Sequence, residues 1–115
     1  MSIGIEATAK VCHEANRAYC EALGDWSHPH WSAASQPLKE SVIAGIHELD
    51  DNPNLTPENL HEKWLDRKVR EGWGYGRVKN EELKQHPNCI AYNHLPREER
   101  LKDDLFHAVA RALLR

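Results

Sequence analysis

The sequence predicts a mainly α fold: four principal helices arranged as two pseudo-repeated helical hairpins, with a long ordered loop rich in aromatic residues and glycine. Three observations predict it. Apolar residues recur at spacings of three and four in four separate segments, which is the period of a helix face. Helix-stopping residues divide those segments: Gly24, the run Asp50-Asp51-Asn52-Pro53, and Gly72. Short elements of the first half also run in the same order as elements of the second. His13-Glu14, Asp25-Trp26, His28-Pro29 and Pro37-Leu38-Lys39-Glu40 parallel His61-Glu62, Gly72-Trp73, His86-Pro87 and Pro96-Arg97-Glu98-Glu99.

The first helix covers residues 4–23, where Ile5, Ala9, Cys12, Ala15, Tyr19, Ala22 and Leu23 make one face and Gly24 stops the run. Residues 25–37 hold two prolines and several turn residues around Trp26 and Trp31, and read as an ordered aromatic loop. Ser35 is placed to cap the second helix with Pro37 in its first turn, and Leu38, Val42, Ile46 and Leu49 form its apolar stripe. Thr56-Pro57-Glu58 opens the third helix with a cap, a first-turn proline and an acid that suits the helix dipole. Leu60, Trp64, Leu65 and Val69 make its buried side. Residues 73–95 read as loop, with a short strand or hairpin near Tyr75–Lys79 and a helical turn near Glu81–Gln85. The fourth helix starts near Pro96, with Leu101, Leu105, Val109, Ala112 and Leu113 on one face.

A chain of 115 residues is expected to form one domain over 1–115, with residues 4–54 an eroded first half and 55–114 the half that carries the motif described next. A formal net charge of −3 makes a nucleic-acid polymer an unlikely partner, because neutralising phosphates takes clustered Lys and Arg. Three cysteines without C-x-x-C spacing fit a reducing compartment and read as small buried hydrophobes. No apolar run reaches the ~18–20 residues of a spanning helix, so the expectation is a soluble, cytoplasmic protein with no membrane partner.

Gly72-Trp73-Gly74-Tyr75-Gly76 is the most unusual segment. Glycine in regular structure costs roughly 0.5–1 kcal/mol relative to alanine, so three together mark backbone that needs positive φ or a close approach. Trp64, at helical spacing from Leu60, reads as a core anchor. Trp73 and Tyr75 have two readings, as core anchors or as exposed rings for stacking. Around them, residues 61–86 carry seven Lys or Arg against five Asp or Glu, a mildly basic stretch in an acidic protein. Rings beside cations suit a ligand with a flat base and phosphates.

The ordered set His61-Glu62, Trp64, Lys68, Gly72-Trp73, Tyr75-Gly76, Lys84, His86-Pro87, Tyr92 and Leu95-Pro96 resembles the signature of the ryanodine-receptor (RyR) repeat over about residues 58–106. The resemblance implies the fold and a class of function. RyR repeats occur as paired modules on the cytoplasmic assembly of animal calcium-release channels, where they are associated with adenine-nucleotide binding and subunit contacts, and as small stand-alone modules in bacteria and phages. The function it implies here is a non-catalytic module that binds an adenine, ADP-ribose-type or cyclic nucleotide signal, as a sensor or a phage sponge. The expected ligand-binding residues are Trp73 and Tyr75 for stacking, Arg77, Lys79, Lys68 and Lys84 for phosphate, and His61, Glu62 and His86 for polar readout. The alternative is a protein–protein or self-assembly module without a small ligand, whose rings dock a partner or a second copy.

Eight histidines invite a metal reading, but His61-Glu62 continues to Trp64-Leu65 without H-E-x-x-H, and no spacing proposes three converging ligands. Neither a metal nor a cofactor is expected. Cys89, His86 and Glu62 assemble a triad only on paper, since Cys89 follows a Pro-Asn pair with no activating feature. Enzymatic activity is therefore not expected.

Overall fold

A computed structural model describes residues 3–114; the remaining ends of the expected 1–115 domain, Met1, Ser2 and Arg115, lie outside the described residues. Four helices carry the fold: α1 (Ile5–Ala22), α2 (Gln36–Asp51), α3 (Pro57–Arg70) and α4 (Arg97–Leu113). Short 3₁₀ turns, Trp31–Ala33 and Tyr92–His94, lead into α2 and α4. The mainly α class and the helix count are as the periodicity predicts. None of the described helices is long and apolar enough to cross a membrane.

The caps are those read from the sequence. Ser35 Oγ accepts the Leu38 N–H at 3.3 Å. At α3, Thr56 Oγ1 accepts from Asn59 N–H at 3.1 Å while Asn59 Oδ1 accepts from Thr56 N–H at 3.4 Å, a reciprocal capping box. Neither α1 nor α4 has a side-chain cap.

The core gathers Ala9 and Cys12 of α1, Trp31, Ile46 and Leu49 of α2, Leu55, Leu60 of α3 and Ala110 of α4, flanked by Ile5, Val42, Ile43, Phe106 and Val109. α1 packs chiefly on α4, and each helix also packs on its hairpin partner. All three cysteines are free and buried. The expected faces shift in places. Val69 and Leu23 are exposed, and the buried side of α3 is completed by His61 instead. On α4, Leu101 turns outward and Ala110 takes the central position. A histidine goes inside because its Nε2 finds the Ile90 carbonyl there at 2.8 Å, and Val69 stays outside, uncovered by the loop after α3.

Of the short strand or hairpin expected near Tyr75–Lys79, the glycine loop forms the strand. Gly74–Tyr75 (β1) pairs with Gln85–His86 (β2) in parallel, Gly74 opposite Gln85 and Tyr75 opposite His86. The intervening chain turns back on itself: Asn80 and Gln85 exchange both backbone hydrogen bonds at 2.9 and 3.0 Å. Residues 81–84 form a turn, not a helical turn running to Gln85. Asn80 Oδ1 caps that turn through the Leu83 N–H at 3.0 Å, and Lys84, at φ +53°, ends it. A left-handed residue there redirects the chain into the second strand, whose parallel pairing local pattern near Tyr75–Lys79 does not anticipate.

The two hairpins repeat one set of bonds, in a register that differs from the sequence pairing. His13 of α1 donates through Nε2 to Pro29 O at 2.7 Å, and His61 of α3 does so to Ile90 O at 2.8 Å. Glu14 accepts the Trp31 N–H and Glu62 accepts the Tyr92 N–H, each at 3.1 Å. Gly24 and Gly72 end their helices at φ +90° and +93°, and the next residues, Asp25 and Trp73, return a hydrogen bond to Cys20 O and Lys68 O. Asp25 is thus the counterpart of Trp73, and Ser35, not Pro37, is the counterpart of Pro96. The repeat is carried by bonds to the backbone, so side-chain likeness misaligns it by one to three residues.

Candidate functional site

Each half fastens its loop to its own helix by this His-Glu clasp, and the clasped loops face a common space. A cavity of about 640 Å³ opens between the halves, lined from all four helices and both loops. The helices contribute residues at one repeated spacing: His13, Asn16, Arg17 and Cys20 from α1, and Glu99, Lys102, Asp103 and Phe106 from α4. Positions i, i+3, i+4 and i+7 share one helix face, so a single stripe from each helix forms the wall.

Of the residues expected to bind ligand, His61, Lys79 and His86 line this cavity. His61 is buried, stacked on Trp64 at 5.5 Å between ring centroids, with Nδ1 3.8 Å from Asp103 Oδ2. His86 lies edge-on to Trp64 and Trp73 at 5.2 and 6.4 Å. Its Nδ1 accepts the Asn88 N–H at 2.9 Å, which leaves the ring proton on Nε2. Burial, with Lys79, Lys68 and Lys102 adding like charge, pushes the His86 pKa down to about 4, so the ring is neutral at physiological pH.

The other expected residues are not brought to the cavity. Trp73 is held between His86 and Lys68, whose Nζ stands 5.0 Å from its ring centroid. Burial, opposed by Glu71, lowers the Lys68 pKa. Lys84 donates to Glu71 O at 2.6 Å, a cation on the last carbonyls of α3. Glu62 holds the Tyr92 amide. Tyr75 is exposed and borders a separate shallow cleft with Pro87 and His94, and Arg77 is exposed. The glycine loop therefore supports the site through His86 more than it forms the site.

Charge in the cavity is uneven. Arg17, Arg67, Lys79 and Lys102 line it, while the carboxylates that pair with the two arginines, Glu14, Glu21 and Glu48, stand outside the lining. Three acids do line it. Asp103 is pushed by burial up to about 7 and is largely protonated below that pH. Glu99 stays ionised: burial opposes its charge, but hydrogen bonds from Lys102 and Asn88, both at 2.8 Å, hold its pKa below the usual range. Asp25 is held low by Ser27. Asn16 Oδ1 is buried with no hydrogen-bond partner among the described residues. Asn16, Arg17, Lys102 and Asp103 line the cavity without belonging to the aromatic loop or to any motif in the sequence. The signal that finds them is the polar stripe at i, i+3, i+4 and i+7 on α1 and α4.

Four helices with two loops, each fastened to its own helix by a His-Glu clasp, define the class of fold. The family model described as "RyR domain" matches residues 35–114, and the chain belongs to that family. The match covers α2, α3, the glycine loop and α4, and so contains one full clasp.

Proposed function

We propose that this RyR domain is a non-catalytic binding module that takes an anionic, adenine-nucleotide-type ligand in the cavity between its halves. One observation supports this reading above the others: four cationic side chains against three acids, of which Asp103 is pushed by burial up to about 7, line a space of about 640 Å³ that also presents Trp64, His61 and neutral His86. The volume lies in the range of small-molecule pockets, roughly 300–1,000 Å³. Phosphates fall to Arg17, Arg67, Lys79 and Lys102, and base or ribose edges to His86 Nε2 and Asn16 Oδ1. Trp73 holds the His86 ring, and Lys68 braces Trp73. In this reading the module is of the stand-alone bacterial or phage type, acts in the cytoplasm, and either reports a nucleotide signal or sequesters it.

The test is a thermal-shift series with adenine mononucleotides, ADP-ribose and cyclic nucleotides. A ligand at 100 times its dissociation constant stabilises by ~2.7 kcal/mol. Lys79→Ala, at an exposed position, is expected to keep the fold and weaken the active ligand about tenfold, the loss of one charge-assisted contact. No shift with any nucleotide sinks the reading.

A second reading rests on a different observation. Trp26 and Val78 are 74% and 76% exposed, and Tyr75 is 56% exposed, which is apolar surface of the kind interfaces bury. In that reading the domain docks a protein or a second copy of itself. Sedimentation over a wide concentration range, with Trp26→Ser as the control, separates it from the ligand reading.

A further inference from the structure

Cys20, Asp25 and His28 are brought together at one wall of the cavity although their spacing matches no familiar metal motif. Their ligand atoms, Sγ, a carboxylate oxygen and a ring nitrogen, all lie within 4.8 Å of one another. All three residues line the cavity. We propose that Cys20, Asp25 and His28 form a binding site for a zinc-class divalent ion, with the fourth coordination position open to the cavity for water or an anionic ligand atom.

The donor set is that of a borderline transition ion: one thiolate, one imidazole and one carboxylate, three protein ligands with one position free. Asp25 Oδ2 and His28 Nε2 stand 3.2 Å apart. Two ligands each about 2.0–2.1 Å from a tetrahedral ion are separated by about 3.3 Å, so the ion enters between them with little movement. The other carboxylate oxygen is already held. Asp25 Oδ1 accepts from Ser27 N–H at 3.0 Å and Ser27 Oγ–H at 2.7 Å, the kind of outer support that orients metal-bound carboxylates. Helix geometry supplies the rest: Gly24 at φ +90° ends α1, and Asp25 N–H bonds back to Cys20 O at 2.9 Å, which folds the acid over the thiol.

Burial holds the Cys20 thiol pKa above its ordinary value, opposed by Lys102, so the metal-free side chain is a thiol. Binding a divalent ion displaces that proton to solvent and forms the metal–sulfur bond, while the imidazole proton moves from Nε2 to Nδ1 to free the ligating nitrogen. No redox change takes place. The inference does not depend on the nucleotide reading, because it needs the metal alone.

Cobalt(II) titration of the full chain, followed by displacement with zinc, tests it. The expected result is one equivalent bound, with a thiolate-to-cobalt charge-transfer band and the intense visible absorption of a four-coordinate ion. Cys20→Ser is expected to abolish the charge-transfer band. Because Cys20 is buried, His28→Ala is the second variant: it lies on the surface side of the cluster, keeps the helical circular dichroism, and loses tight zinc binding. Ser27→Ala is expected to weaken zinc by about 10- to 100-fold through the loss of outer support. Absence of a thiolate band, its survival in Cys20→Ser, or unchanged zinc affinity in His28→Ala overturns the proposal.

Discussion

At Gly76 an added Cβ would stand 2.5 Å from Gln85 Cβ, a contact at the root of a side chain that cannot rotate away. At Gly74, two residues earlier, nothing lies within 4 Å of the same position. Gly76→Ala is therefore expected to lower stability by about 1–3 kcal/mol through overpacking of the parallel pair. Gly74→Ala is expected to change it by no more than about 0.5 kcal/mol. Urea denaturation of both variants checks the contrast, and equal effects would show that the ladder is not what requires glycine. Three glycines around two rings were legible as a backbone demand; which of them make the demand was not. Gly72 answers to positive φ and Gly76 to close approach, and close approach depends on Gln85, a partner that only the fold supplies. The same limit applies to Trp73 and Lys84. Their motif spacing was plain, while their contacts with Lys68 and the Glu71 carbonyl arise from a parallel ladder that local pattern does not encode.

Among the elements, α3 has the best-defined start. Thr56→Ala removes one arm of its capping box and leaves the Asn59 N–H without its acceptor, so a loss of about 1 kcal/mol is expected in denaturant unfolding. Asn59→Ala removes the reciprocal arm. Since both arms serve the same helix start, the double variant is expected to lose less than the sum of the singles. Helix positions and caps were readable because capping chemistry is local, set within three residues. The register of the repeat was not, because Asp25 and Trp73 are equivalent only through the bond each returns to its own helix. Side-chain likeness instead drew Trp26 to Trp73. The polar stripes of α1 and α4 were hidden for a related reason: a helix face is seen by its apolar residues, and the cavity is walled by the neighbouring stripe.

Across the whole molecule, two groups in the cavity wall oppose each other in pH. His86 is neutral in both folded and unfolded chains well above its ordinary pKa of 6.5, and its folded value is about 4. Between those values the unfolded chain binds the proton more readily, so this group removes stability as pH falls from 6.5 towards 4. Asp103 behaves in the opposite sense. Its pKa rises from 3.8 to about 7, so the folded chain holds the extra proton and this group adds stability as pH falls from 7 towards 3.8. The two windows overlap almost completely. A melting temperature followed from pH 7.5 to 4.5 is expected to show little net trend from this pair. Asp103→Asn is expected to expose the His86 loss as a steeper decline on acidification, and His86→Gln to expose the Asp103 gain. Matching slopes in all three proteins would contradict both assignments.

The clasps also impose an order in time. His13 reaches Pro29 across 16 residues and His61 reaches Ile90 across 29, whereas Cys12 of α1 meets Phe106 of α4 across 94. Loop closure costs (3/2)RT ln n, so the α1–α4 seam starts roughly 1.5 kcal/mol behind the shorter clasp before any contact forms. Each half thus fastens its own loop early, and the seam, the last long-range contact, is the one that completes the cavity. Pulse-labelled hydrogen exchange during refolding would register that sequence of events: the Trp31 and Tyr92 amides protected first, with exchange along the α1–α4 seam slowing last.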